Sequence, residues 1–169
     1  MLRDELRSLL TSFAAERLAL VEHHEAAARV VGHYDFNNTY QYVIAREETH
    51  LSWLQSALGE LGVPALPPSS AAIPVAPTPV KARRLVASAY RDVLEDDARL
   101  LGAFVERWGG PVAEVAHARH RGMLGVILGE SLEHQRLFEQ AAEGFEDVIG
   151  RRTIDAVRVG AVLPTRWME

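Results

Sequence analysis

The sequence predicts an all-α protein that folds as a four-helix bundle, with a long proline-rich connection between its second and third helices. Three observations lead to this prediction. Apolar residues recur at three- and four-residue steps over four long stretches, and no stretch alternates as a strand would. Most of the eight prolines fall within residues 63–80, which predicts an extended, helix-free connection. The chain has 169 residues, the length of one domain with a sizeable core.

The first two predicted helices are joined by a short turn. The first runs from about Arg3 to Val31, and Gly32 is placed to end it. The second continues to about Leu61 and ends at Gly62. Because short loops join antiparallel neighbours, we expect these two helices to pair.

The last two predicted helices repeat this arrangement. The third helix runs from about Lys81 to Trp108, and Gly109-Gly110 ends it. Pro111 is suited to be the first residue of the fourth helix, which continues to about Gly144. We expect these helices to pair as well.

The proline-rich link determines how the two pairs are connected. Residues 63–80 are long enough to carry the chain back along the bundle between the second and third helices. The bundle is therefore predicted to occupy residues 1–145. Residues 146–169 are predicted to form a C-terminal extension that packs on the bundle or on a neighbouring subunit.

Composition excludes several classes of function. With a net charge of -5, the composition does not indicate a basic surface, so we expect no nucleic-acid partner. The absence of cysteine excludes thiol catalysis and iron–sulfur clusters, and it leaves oxygen and imidazole as the ligands for any metal. The sequence has neither a signal-peptide core nor an apolar stretch approaching the roughly 20 residues that span a bilayer. We therefore expect a cytoplasmic protein without a membrane partner.

Acidic residues lie on the apolar faces of the predicted helices. On the second helix, Glu47 is near the centre of the apolar arc and His50 lies at its flank, so the pair forms an inward Glu-x-x-His motif. On the third helix, Asp97 lies within the apolar arc. On the fourth, Glu130 is central and His134 follows one turn later. These positions predict buried carboxylates.

The first helix adds Glu16, which flanks its apolar stripe. A buried carboxylate without a partner costs several kcal/mol, and the predicted inner faces offer few cations to offset the cost. A divalent metal ion is the simplest partner for these acids, because ionised carboxylate and neutral imidazole are the ligands that iron and manganese use. The sequence therefore predicts a metal site inside the bundle.

The pattern resembles the ferritin-like superfamily, including rubrerythrins and bacterioferritins. The shared features are a Glu, a Glu-x-x-His motif about thirty residues later, a long crossover and a second such half. Segment 45–54, which contains Glu47 and His50, looks like the second helix of a rubrerythrin. The resemblance covers residues 1–145 in layout, and only the Glu47/His50 motif is specific.

The resemblance implies a centre of two iron ions, with manganese or zinc as alternatives. It implies six ligands: Glu16, Glu47, His50, Asp97, Glu130 and His134. The acids of the second and fourth helices would bridge or chelate the metals, and those of the first and third would be terminal ligands. The chain departs from the family at Asp97, where a Glu is usual. It also lacks a fourth-helix Glu-x-x-His, so Glu133 is an alternative to His134 and the second metal position is expected to be weaker.

The resemblance also implies a function in iron oxidation, iron handling or peroxide reduction. The protein would be a non-haem di-iron oxidoreductase of peroxidase or ferroxidase type, acting on O₂ or hydrogen peroxide. A cysteine-free chain has no rubredoxin module, so electrons would come from an external donor, and a homo-oligomer, with a dimer favoured, is expected. Two alternatives stay open. One is a DinB-type bundle with one metal on His24, His50 and His134; the other is a non-enzymatic oligomerising ferritin-like module.

Overall fold

The structure is a computed structural model that describes residues 3–77 and 87–150. Within these ranges the regular structure is helical and no strand occurs, so the predicted all-α fold class is confirmed. The four α-helices and their bounds are α1 (Arg3–Val30), α2 (Tyr34–Glu60), α3 (Arg91–Ala113) and α4 (Ala118–Ala142). One turn of 3₁₀ helix, Ala87–Tyr90, leads into α3.

Helices α1 and α2 are antiparallel neighbours joined by residues 31–33. The Nη2 of Arg3 donates to the carbonyl of Glu60 at 3.4 Å, which places the start of α1 beside the end of α2. At the turn, Asn37 Nδ2 donates to the carbonyls of Ala28 at 2.7 Å and Val31 at 3.1 Å. The amide thereby satisfies carbonyls that the end of a helix leaves without intrahelical partners. The predicted ends of both helices differ from the observed ones by one residue.

Helices α3 and α4 are also antiparallel, since Arg91 Nε at the start of α3 donates to the carbonyl of Ala142 at the end of α4 at 3.3 Å. Contacts between the two pairs join them into one core. Edge-to-face contacts link Phe13 of α1 to Phe104 and Trp108 of α3, with ring centroids 5.0 and 5.1 Å apart. Such aromatic pairs stabilise a fold beyond the area that they bury.

The predicted boundary between the third and fourth helices is wrong. Helix α3 continues through Gly109, Gly110 and Pro111 to Ala113, and α4 begins only at Ala118. Pro111 has no N–H to donate, so the helix loses a hydrogen bond there. The residues that follow explain the continuation: Val112 is 4% exposed and Val115 is fully buried. Burial of two apolar side chains offsets the poor helix propensity of the Gly-Gly-Pro sequence.

The core contains apolar side chains from every α-helix. Fully buried members include Leu10, Phe13, Leu54, Leu58, Leu101, Leu124 and Phe138. No helix in the described parts of the chain is both long and apolar enough to cross a membrane.

The connection after α2 is helix-free over its described part, residues 61–77. It lies along α1, where the amide of Ser70 donates to the carbonyl of Ala15 at 3.0 Å. Farther on, the carbonyl of Ile73 accepts from His23 Nδ1 at 3.1 Å. The predicted start of the third helix at residue 81 and the C-terminal extension from residue 151 onward lie outside the described residues.

Candidate metal centre

The core contains a cluster of polar side chains, here called the polar cluster, surrounded by apolar residues. Its members expose 2% or less of their surface and come from all four α-helices: Arg17, His23, His24, Tyr40, Glu47, His50, Asp97, Ser131 and His134. Charged groups are seldom fully buried unless they are paired or bind a metal, so this cluster is the candidate functional site.

Glu47 of α2 lies at the centre of the polar cluster. His24 Nδ1 donates to Glu47 Oε2 at 2.8 Å, and Arg17 Nη2 is 3.4 Å from Glu47 Oε1. Burial alone would raise the pKa of Glu47, but the charges of His24 and Arg17 outweigh it and lower the pKa to about 2. Glu47 is therefore an ionised carboxylate at neutral pH.

His50 lies between a cation and an acid. Arg17 Nη2 donates to His50 Nδ1 at 2.9 Å, and a guanidinium has no acceptor, so Nδ1 must be the unprotonated nitrogen. The proton of His50 is then on Nε2, which donates to Glu130 Oε2 at 2.9 Å. Burial and the charge of Arg17 lower the pKa of His50 to about 4. The ring is accordingly a neutral imidazole at neutral pH.

Glu130 and His134 belong to α4 and lie at the edge of the cluster. Arg46 holds the Glu130 carboxylate with two hydrogen bonds of 2.9 and 2.7 Å and, with His50, lowers its pKa. The ring of His134 lies 6.4 Å from that of His50 and nearly parallel to it. Burial lowers the pKa of His134 to about 4, although the charge of Glu47 opposes the shift.

Several buried atoms of the cluster have no hydrogen-bond partner among the described residues. They are Nε2 of His24, Nδ1 of His134, Oε1 of Glu47, and Nε and Nη1 of Arg17. An imidazole nitrogen carries a lone pair whenever it is unprotonated. Lone pairs of buried imidazoles next to an ionised carboxylate fit the donor set of a divalent transition metal. The types of donor atom present therefore suit such an ion.

The other two predicted ligands are engaged elsewhere. Asp97 accepts from His23 Nε2 at 2.5 Å and from the hydroxyl of Tyr40. Glu16 lies between α1 and α3, where its carboxylate accepts from Arg107 Nη1 at 2.7 Å and Trp108 Nε1 at 2.9 Å.

The structure thus brings four of the six predicted ligands into one region: Glu47, His50, Glu130 and His134. Glu133, the alternative to His134, is exposed. Within the described ranges, no three histidine or acidic side chains of this region, His24 included, place one ligand atom each within 4.8 Å of one another. Their use as metal ligands remains a prediction.

Two cationic side chains of the cluster were not among the predicted site residues. Arg17 is fully buried, with its guanidinium 5.3 Å from the ring of Phe104. The signal was present in the periodicity, because Arg17 is four residues after Phe13 and three before Leu20 on the apolar stripe of α1. His23 hydrogen-bonds to Asp97, and this contact raises the pKa of His23 even though burial opposes the shift.

A cavity of about 410 Å³ borders the cluster at His134. Its other lining residues are Tyr42, Glu133, Arg136, Leu137, Gln140 and Ile149. His134 is therefore the member of the cluster that a small molecule in this cavity would meet.

Comparison with protein-family models, curated proteins and solved structures gives no match to this chain. The resemblance to ferritin-like proteins therefore stays a prediction.

Proposed function

We propose that this chain is a ferritin-like protein that binds a divalent transition metal in its polar cluster. The observation that carries the proposal is a pair of buried imidazole nitrogens without partners, His24 Nε2 and His134 Nδ1, beside the ionised Glu47. A buried polar atom without a hydrogen bond is costly, and a metal ion provides the missing partner.

The residues that would hold the ion are His24, Glu47 and His134, each of which has a buried polar atom without a partner among the described residues. His50 and Glu130 already have hydrogen-bond partners at both of their polar atoms. When bound, a redox-active ion such as iron or manganese would supply electron transfer to O₂ or hydrogen peroxide, with electrons from an external donor. Arg17 would orient Glu47 and His50, which it already contacts. The cavity at His134 would admit the small substrate.

The connectivity supports a ferritin-like arrangement. Gly32, just after α1, contacts Tyr90 at the start of α3. Glu16, in the middle of α1, contacts Arg107 farther along α3, so the two helices run in opposite directions. Since α1 is antiparallel to both α2 and α3, the latter two helices run the same way. A connection that returns along the helices between α2 and α3 would be the single long crossover of ferritin-like proteins. The contacts of Ser70 and Ile73 with α1 agree with that path.

The geometry favours one metal ion over two. A di-iron centre would need Glu16 and Asp97, and each carboxylate already accepts hydrogen bonds from two protein side chains. The unpartnered nitrogens belong instead to His24 and His134, two of the three histidines of the DinB-type alternative. We therefore propose a single ion with histidine and carboxylate ligands.

Metal content tests this proposal. Purified full-length protein is reconstituted with Fe²⁺, Mn²⁺ or Zn²⁺, desalted and assayed for metal per chain. We expect His134→Asn and Glu47→Gln each to lose about one equivalent relative to the unsubstituted chain, because each removes a ligand.

Two exposed positions provide matched controls, since His117 and Glu48 have the same residue types. His117→Asn and Glu48→Gln should leave the metal content unchanged. Equal metal content in His134→Asn, Glu47→Gln and the unsubstituted chain would refute the proposal.

Substitution of Glu16 distinguishes one ion from two. We expect Glu16→Gln to retain the full metal content, because its carboxylate contacts Arg107 and Trp108 rather than the cluster. The change should cost only about 1 kcal/mol of stability, as is usual for a partly exposed ion pair. Loss of a whole equivalent, measured by the same metal assay, would instead support the di-iron centre.

A second candidate function is favoured by Arg17. Its guanidinium lies against both Glu47 and His50, so the protein itself supplies a cation where a metal would otherwise be needed. On that view the chain is a non-enzymatic, oligomerising helical module without metal. It predicts no metal uptake by any variant, and size-exclusion chromatography would then show an oligomer that is indifferent to chelators.

A further inference from the structure

Three metal-ligating side chains meet outside the polar cluster, at the end of the helices where α1 turns into α2. His33 is the residue just before α2, Asp35 is in the first turn of α2, and Glu146 follows α4. One ligand atom from each lies within 4.8 Å of the other two. Among residues 3–77 and 87–150, no other group of three histidine or acidic residues meets that condition.

The imidazole of His33 is held in place but is not used for capping. It stacks on Phe36 with ring centroids 4.2 Å apart, and only 13% of the side chain is exposed. Its Nδ1 is buried without a hydrogen-bond partner in the described structure, and its side chain makes no capping hydrogen bond to α2. The nitrogen that faces Glu146 is Nε2, and this nitrogen is the ligand atom that the ring can offer.

The spacing of the group suits a metal ion better than a direct hydrogen bond. His33 Nε2 is 3.6 Å from Glu146 Oε1, beyond the usual range for N–H···O bonds. With metal–ligand bonds of about 2.1 Å, neighbouring ligands of a tetrahedral ion lie about 3.4 Å apart. Asp35 is 5% exposed, so one carboxylate is already largely desolvated beside the imidazole.

We propose that His33, Asp35 and Glu146 bind one divalent transition-metal ion such as Zn²⁺. One imidazole and two carboxylates select this class over Mg²⁺ or Ca²⁺, which prefer oxygen ligands alone. Three protein ligands leave one coordination position for water. The ion would join the α1–α2 turn to the segment after α4, and it would therefore stabilise the packing of this end of the protein.

The test uses the full-length chain stripped with a chelator, carrying His134→Asn to remove the proposed core ligand, and titrated with Zn²⁺. We expect calorimetry to show one binding event and the melting temperature to rise by roughly 5–10 °C at a hundredfold excess of metal over Kd. His33→Gln and Glu146→Gln should each abolish both effects. Glu146→Gln is the safer variant for folding, because 43% of that side chain is exposed.

Matched controls are available for both changes. His117 also precedes a helix without a capping hydrogen bond, and Glu143 is an exposed acid near Glu146. His117→Gln and Glu143→Gln should retain the binding event and the rise in melting temperature. An unchanged titration in Glu146→Gln, or no binding event in the His134→Asn chain, would overturn the proposal. Neither result bears on the core site, which is tested separately by the difference in metal content between the unsubstituted chain and Glu47→Gln.

Discussion

Replacement of Arg17 by Met is expected to lower the free energy of unfolding by about 3–5 kcal/mol in metal-free protein, because it leaves a buried charge without its partner. Arg17 and Glu47 are both fully buried, and their closest charged atoms are 3.4 Å apart. Methionine fills much of the same volume without a charge, so the loss reports mainly on electrostatics. Urea unfolding in the presence of a chelator, followed by circular dichroism, measures it.

The double variant Arg17→Met/Glu47→Gln should recover much of this stability, since both charges are then absent. Arg7→Met is the control on the same helix, because Arg7 forms only a surface pair with Asp4. Arg17→Met should also strengthen metal binding, because it removes a positive charge beside the proposed ligands. If Arg17→Met lowers the free energy of unfolding by less than about 1 kcal/mol, the Arg17–Glu47 pair does not stabilise the core.

Asp97→Asn is expected to lower the free energy of unfolding by about 2–3 kcal/mol, although the two side chains have nearly the same shape. Asp97 accepts hydrogen bonds from two donors, His23 Nε2 and the hydroxyl of Tyr40. An amide presents one acceptor and one donor, so one of these donors would face an N–H group in the core. Chemical denaturation measures the difference.

The neighbouring residue provides a matched control. Asp96 is partly exposed and pairs with Arg99 on the surface of α3, so Asp96→Asn should cost about 1 kcal/mol or less. Equal effects of the two substitutions would contradict the role assigned to Asp97. Tyr40→Phe should show a smaller loss than Asp97→Asn, because it removes only one of the two donors.

Helical periodicity was sufficient to predict the four helices, because each buries a continuous apolar stripe. It did not predict where α3 ends. Gly109, Gly110 and Pro111 are poor helix residues, and local propensity places a boundary there. The burial of Val112 and Val115 favours another turn of helix, and that contribution depends on a neighbouring helix that a single stretch of sequence does not reveal.

The polar cluster was predictable in position but not in pairing. The positions of Glu47, His50 and Asp97 on inner faces follow from periodicity, and all three are fully buried. Periodicity does not state which partner each acid has. The partners of Asp97 come from α1 and α2, and the guanidinium of Arg17 reaches His50 from another helix. Such contacts depend on the axial positions of the helices relative to one another. A small error in a predicted helix bound changes those positions and therefore the predicted partners.

The polar contacts between the two helical hairpins also determine their register. Apolar side chains pack in several neighbouring arrangements at similar free energy, whereas hydrogen bonds to charged groups require fixed partners. Sliding one hairpin by a single helical turn, about 5.4 Å, would separate His23 from Asp97 and Arg46 from Glu130. Buried charges would then lack partners on both sides of the interface. The polar cluster therefore selects one alignment of two hairpins that hydrophobic packing alone would leave free to shift.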